Sequence, residues 1–166
     1  MALRKTLEPD WETAEKLYPA VLALIYEYTN YCDENGDENF VEYKKLKIRL
    51  YEITCKDMSQ YNLRELWEEE SVEVLSFKIA LPLPILEPAM SHDDLTEIVK
   101  RIKTVTWQDG EDSFKQIFEN YITDYYHALL KLNFKNYKPQ FFNRQKGKDG
   151  KYFEYSIDEI SSKILG

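Results

Sequence analysis

The amino-acid sequence predicts a mainly helical α+β fold with a small antiparallel sheet and a C-terminal β-hairpin. Three observations support this fold class. Apolar residues spaced three and four apart indicate helices, two segments alternate polar and apolar residues like strands, and these segments do not follow the order of regular βαβ units. The length of 166 residues suits one domain, so we expect a single α+β domain over residues 1–166.

A long helix is expected first, capped by Asp10 and ending near Cys32, before Asn35-Gly36. Pro19 interrupts it, so either the helix kinks there or a second helix begins with Pro19 in its first turn. The apolar positions that follow the helical spacing are Trp11, Ala14, Leu17, Tyr18, Val21, Leu22, Ile25 and Tyr28.

The middle of the chain combines helical and strand signals. Residues 40–53 have apolar residues at helical spacing, yet "KLKIRLYEI", residues 45–53, alternates strictly, which predicts a short helical turn leading into a strand. "LRELWEEE", residues 63–70, predicts a helix capped by Ser59 or Asn62. "VEVLSFKIAL", residues 72–81, predicts a strand with Leu75, Phe77, Ile79 and Leu81 on one face.

Three prolines make residues 82–88 a loop. Ser91, Asp93 and Asp94 then open a helix that runs to about Lys103, and Asp109-Gly110 separates it from a long helix over residues 112–132. Residues 140–146 and 151–156 are predicted to be hairpin strands joined by a two-residue turn at Asp149-Gly150. Ser156 and Glu159 form a capping-box pattern for a last short helix.

The net charge of −8 is unevenly distributed. Residues 8–39 have a net charge of −8 and residues 57–94 of −7, whereas residues 40–56 carry +3 and residues 135–151 carry +5. An acidic body repels nucleic acid and anionic membranes and attracts basic proteins. We therefore expect a basic protein partner in preference to nucleic acid, and no membrane, and homo-oligomerisation stays open.

Cysteine usage and the N-terminal residues predict a cytoplasmic protein. Cys32 and Cys55 form neither a disulfide framework nor a CxxC pair, which is typical of free thiols. "MALRKTLEPDW" has no apolar run after its basic residues, as a secretory signal would require. No Gly-x-Ser-x-Gly turn and no glycine-rich phosphate loop is present, so the sequence predicts no cofactor.

"CDENGDENF", residues 32–40, places an oxygen-bearing side chain at every second position, as a calcium loop does. An EF-hand loop that begins at Asp33 requires Gly at its sixth position and Glu at its twelfth. Glu38 and Lys44 occupy these positions. The segment is better explained as a turn between two helical elements, with Asn and Asp capping free N–H groups.

An enzyme hypothesis has to use one group of residues, because no other segment offers acid–base chemistry: His92, Asp93, Asp94, Asp124 and His127. Imidazole and carboxylate together suit a metal-dependent hydrolase. The sequence has neither paired Glu-x-x-His motifs nor His-Glu-x-x-His, so these residues are more simply a helix start and a helix surface. We expect no metal site. The question of enzymatic activity stays open, with a non-enzymatic role favoured and this hydrolase as the alternative.

Residues 133–153 mix six basic residues with six aromatic ones, a composition that suits a structural hairpin, a protein contact or single-stranded nucleic-acid binding. The sequence as a whole favours an interaction module, an inhibitor or immunity-type protein that binds a basic partner through acidic faces. The expected partner-binding residues are Glu65, Glu68, Glu69, Glu70, Lys146, Lys148 and Tyr152.

Overall fold

The computed structural model describes residues 2–65, 70–104 and 113–166. They belong to two compact units, Asp10–Pro82 and Met1–Pro9 with Leu83–Gly166. The expected mainly helical α+β fold is confirmed, and the single-domain expectation stays a prediction. The elements of the described ranges are α1 Trp11–Asn35, α2 Val41–Thr54, α3 Val72–Ala80, α4 His92–Lys103, α5 Phe114–Phe118, α6 Thr123–Asn133, α7 Ile157–Leu165, and the strands β1 Gln145–Lys146 and β2 Tyr152–Phe153.

In the unit Asp10–Pro82, α1 packs against α3 and α2. The Asp10 carboxylate accepts a hydrogen bond from the Thr13 N–H at 3.0 Å, so the predicted cap is confirmed. The helix continues through Pro19 and ends at Gly36, whose φ of +70° and N–H bond to the Cys32 carbonyl close the last turn. Buried Leu and Ile side chains from α1, α2 and α3 form the core of this unit.

The predicted strand over residues 45–53 is wrong, because the segment lies within α2. A strand would place Leu46, Ile48 and Leu50 on one face. The helix buries Leu46 and Leu50 and leaves Ile48 59% exposed. The structure therefore follows the helical spacing of the apolar residues. The polar–apolar alternation in the sequence arises from basic residues that lie on the outer face of α2.

The predicted strand over residues 72–81 is also wrong, because the segment forms α3. The Ser71 hydroxyl accepts a hydrogen bond from the Val74 N–H and caps this helix. A short apolar run fits a buried strand and a buried helix equally well. Every residue from Val74 to Ala80 is buried except the half-buried Lys78, as in a helix enclosed on most sides.

The helix predicted over residues 63–70 is described only at its ends. Residues 63–65 are not helical, and residues 66–69 lie outside the described residues. The Asn62 side-chain oxygen accepts a hydrogen bond from the Glu65 N–H at 3.3 Å, and its role as a helix cap stays a prediction. The loop predicted at residues 82–88 is confirmed.

In the second unit, α4 contacts α7 and α6. Ser91 and Asp94 form the capping box of α4, and Ser156 and Glu159 form that of α7, so both predicted helix starts are confirmed. Arg101 on α4 holds the N-terminal segment in place, because its Nη1 atom lies 2.9 Å from both carboxylate oxygens of Glu8.

The predicted helix over residues 112–132 is divided in two, since a 3-10 turn at Glu119–Tyr121 separates α5 from α6. The break predicted at Asp109-Gly110 lies outside the described residues. The C-terminal hairpin is confirmed but shorter than predicted, because Pro139–Phe142 forms a 3-10 turn instead of a strand. The Gly147 N–H donates a hydrogen bond to the Lys151 carbonyl at 2.7 Å, so the loop between them has three residues and not the predicted two. Within this loop Gly150 adopts a φ of +81°.

Candidate functional site

A cleft of about 620 Å³ opens in the unit Asp10–Pro82. It lies beside the C-terminal half of α1, the turn that follows it and the residues that lead into α3. A volume of this size is typical of sites that receive a ligand or a few side chains of a partner. The lining residues are Tyr28, Thr29, Cys32, Asp33, Gly36, Asp37, Leu63, Arg64, Glu70, Ser71 and Val72.

Carboxylates dominate the charge of this acidic cleft, because Asp33, Asp37 and Glu70 face a single base, Arg64. Asp37 and Glu70 are already engaged. The two oxygens of Asp37 accept hydrogen bonds from the N–H groups of Glu42 and Tyr43 at the start of α2, and Glu70 lies 2.8 Å from the Lys78 ammonium. Among the described residues, the exposed Asp33 carboxylate has no side-chain partner, which leaves it available to a ligand.

Two side chains form the walls of the acidic cleft without adding negative charge. Burial raises the pKa of the Tyr28 phenol, Cys32 raises it further, and Arg64 lowers it, so the phenol is neutral at pH 7. The Arg64 guanidinium lies 3.9 Å from the centroid of the Phe40 ring. This cation–π contact orients the one base among the described residues of the lining.

The calcium-loop pattern of residues 32–40 is used for helix ends. Gly36 closes α1, and Asp37 caps α2 with both carboxylate oxygens. In the part of the chain that the structure describes, no group of three or more His, Cys, Asp or Glu side chains could hold a metal ion. The alternating acids therefore have a structural role. The sequence pattern alone did not distinguish this role from the binding of a metal ion.

The predicted acidic partner-binding residues fall at or next to this cleft as far as they are described. Glu70 lines it, and the exposed Glu65 follows Arg64 directly in the chain. Glu68 and Glu69 lie outside the described residues. Asp33, Tyr28 and Arg64 were not predicted as partner-binding residues. The sequence pattern suggests only a calcium-ligand role for Asp33, and nothing in the sequence indicates that Arg64 lines the same cleft.

The residues of the enzyme hypothesis lie on helices of the second unit. His92, Asp93 and Asp94 form the first turn of α4, where Asp94 accepts from Ser91 and pairs with Arg4 at 2.7 Å. Asp124 lies in the first turn of α6. These five residues are all described, and they contribute no metal-holding group of the kind a metal-dependent hydrolase requires.

His127 is held by aromatic side chains. Its Nδ1 atom lies 2.7 Å from the Tyr137 hydroxyl, and its ring contacts the Phe142 ring edge-on at 4.8 Å. Burial lowers the pKa of the His127 imidazole, and the Asp124 carboxylate opposes that shift. A neutral imidazole that bonds a phenol is an ordinary way to satisfy a half-buried histidine.

Lys146, Lys148 and Tyr152 lie on the hairpin of the second unit and are all exposed. Lys146 stands opposite Tyr152 in the β1–β2 pair, and the Arg144 guanidinium lies 4.6 Å from the centroid of the Tyr152 ring. These residues belong to a different compact unit from the acidic cleft.

Comparison with protein-family models gives no match, and the curated proteins and the solved structures contain no chain that this one matches. In the described ranges, no helix is both long enough and apolar enough to cross a bilayer. Functional conclusions about this chain therefore depend on the geometry and charge of its own sites.

Proposed function

We propose that the protein is an interaction module whose acidic cleft receives a lysine or arginine side chain of a basic partner protein, in the manner of an inhibitor or immunity-type protein. The observation that carries this proposal is the unpartnered Asp33 carboxylate in a lining with three acids and one base. Free thiols at Cys32 and Cys55 support a cytoplasmic location for this activity.

The chemistry of the acidic cleft suits a long cationic side chain. Its aliphatic stem would pack against the half-buried Val72 and Thr29, and its charged end would donate a hydrogen bond to Asp33. Charge-assisted hydrogen bonds of this kind are about twice as strong as neutral ones. The surrounding negative charge would accelerate association and exclude acidic partners.

The test uses a synthetic peptide of alternating Lys and Arg, labelled with a fluorophore, and measures binding by fluorescence anisotropy. Asp33→Asn removes one charge from the acidic cleft, and Glu15→Gln removes one charge from an exposed position about 18 residues earlier on α1, roughly 27 Å away along the helix. We expect Asp33→Asn to weaken binding about tenfold and Glu15→Gln to leave it unchanged.

Two results would contradict this proposal. Equal weakening by Asp33→Asn and Glu15→Gln would show that the peptide responds to net charge and not to the cleft. Binding that is the same at low and high salt would exclude the electrostatic attraction on which the proposal depends.

A further inference from the structure

The hairpin of the second unit presents cationic and aromatic side chains on one face. Residues that stand directly opposite in an antiparallel pair project to the same side of the sheet, so Lys146 and Tyr152 share a face. Arg144 joins them, because its guanidinium covers the Tyr152 ring at 4.6 Å. We call Arg144, Lys146 and Tyr152 the hairpin face.

The opposite side of the hairpin makes contacts within its own unit, although Phe153 there is still 43% exposed. Gln145 donates hydrogen bonds to the carbonyls of Gln140 and Asn143, and the Phe153 ring contacts Tyr155 edge-on at 5.3 Å. These contacts hold the strands in place. The hairpin face is left open to solvent, and the Tyr152 side chain is 57% exposed.

The positive charge around the hairpin face is not neutralised. Residues 135–151 contain six bases, all exposed, and one acid, Asp149, whose carboxylate accepts a hydrogen bond from the Lys151 N–H. In the described ranges, none of these six bases forms an ion pair with an acid. The bases are Lys135, Lys138, Arg144, Lys146, Lys148 and Lys151.

We propose that the hairpin face binds single-stranded nucleic acid, an activity separate from that of the acidic cleft. Lys146 and Lys148 contact phosphates, and a base stacks on the ring face of Tyr152 that Arg144 leaves uncovered. Proteins that hold single strands without sequence preference combine a basic surface with exposed rings in this way. The overall charge of −8 limits the contact to this surface. The affinity falls as salt rises, because bases that neutralise phosphates release the counterions of the strand.

The exposed ring distinguishes this partner from an acidic protein. Carboxylates would engage Lys146, Lys148 and Arg144 but would gain nothing from the Tyr152 ring. Stacking of a base on an aromatic side chain contributes roughly 1–3 kcal/mol, which is about fivefold to 150-fold in affinity. A substitution that removes only the ring therefore separates the two classes of partner.

The experiment measures fluorescence anisotropy of a labelled thymidine oligonucleotide of about 20 residues from about 50 mM to about 200 mM salt. The double change Lys146→Glu with Lys148→Glu is expected to weaken binding at least about tenfold and to flatten the salt dependence. The control, Lys5→Glu with Lys16→Glu, alters the net charge equally at two exposed lysines elsewhere and is expected to bind like the unaltered protein.

The ring is tested separately by Tyr152→Ala and Tyr152→Phe. We expect the alanine change to weaken binding about tenfold and the phenylalanine change to preserve it, because stacking needs the ring and not the hydroxyl. The proposal is overturned if the oligonucleotide does not bind at low salt, or if both double variants bind alike. It is also overturned if Tyr152→Ala binds like the unaltered protein, or if polyglutamate displaces the oligonucleotide at equal charge concentration, which would indicate an acidic protein partner.

Discussion

The ammonium of Lys56 donates a hydrogen bond to the carbonyl oxygen of Leu81 at 2.7 Å, at the end of α3. It also donates to the carbonyls of Lys78 and Ile79, at 2.9 Å and 3.0 Å. The side chain is only 5% exposed. A lysine that follows α2 therefore donates to carbonyl groups at the end of α3, where a helix leaves its last carbonyls without backbone partners.

Replacement of Lys56 by Met is expected to lower the free energy of unfolding by roughly 2–4 kcal/mol, because the buried carbonyls of Ile79 and Leu81 lose their donor while the side-chain volume is kept. The Lys78 carbonyl keeps the Tyr61 hydroxyl as a donor at 3.3 Å. Urea unfolding followed by circular dichroism measures the change. Lys44→Met, at an exposed position of the same region, is the control and should alter stability by less than about 0.5 kcal/mol. Equal stability of the two variants would contradict the capping role of Lys56.

The pH dependence of stability should also report on Lys56. Burial lowers the pKa of its ammonium to about 8, from 10.5 in the unfolded chain. Between these values the unfolded chain binds more protons, so the contribution of Lys56 to stability rises with pH. We expect the difference in unfolding free energy between the unaltered protein and Lys56→Met to grow by about 1 kcal/mol from about pH 7 to about pH 9. If this difference in unfolding free energy stays constant or narrows, the hydrogen bonds to the carbonyls stabilise the charged ammonium more than burial destabilises it.

The hydroxyl of Ser76 is buried within α3 and has no hydrogen-bond partner among the described residues. Ser76→Ala should therefore raise the free energy of unfolding by about 0.5–1 kcal/mol, because it removes an unsatisfied polar group and favours the helix. Ser161 is equally buried, but its hydroxyl donates to the Ile157 carbonyl at 2.8 Å. Ser161→Ala should change the free energy of unfolding by less than about 0.5 kcal/mol. A larger gain in stability from Ser161→Ala than from Ser76→Ala would contradict this account of the two hydroxyls.

Two acids of the cleft should respond differently to replacement by alanine. Asp37→Ala is expected to lower the free energy of unfolding by about 1–2 kcal/mol, because its carboxylate caps α2 through two N–H groups. Asp33→Ala should alter it by less than about 0.5 kcal/mol, since its carboxylate has no partner in the described part of the chain. Thermal unfolding of both variants measures the contrast, and similar losses would mean that Asp33 also has a structural role.

The sequence predicted where helices begin better than it predicted whether a segment is a helix or a strand. The capping residues Asp10, Ser91 and Ser156 each begin a helix as predicted, because a side-chain oxygen next to free N–H groups acts within four residues. The patterns of the segments that form α2 and α3 predict strands in whole or in part. These predictions are wrong because short apolar runs acquire their structure from packing. The acidic cleft was predictable only in part, because the contact of Arg64 with Phe40 joins residues far apart in the sequence and arises only in the folded chain.

The most direct test of the acidic cleft is nuclear magnetic resonance of the ¹⁵N-labelled protein during titration with the Lys–Arg peptide. The proposal predicts that the backbone amide signals of Asp33, Gly36, Arg64 and Ser71 move together, and that Asp33→Asn suppresses these changes while Glu15→Gln preserves them. Signals that move only outside the lining of the cleft, or that move equally in both variants, would contradict it.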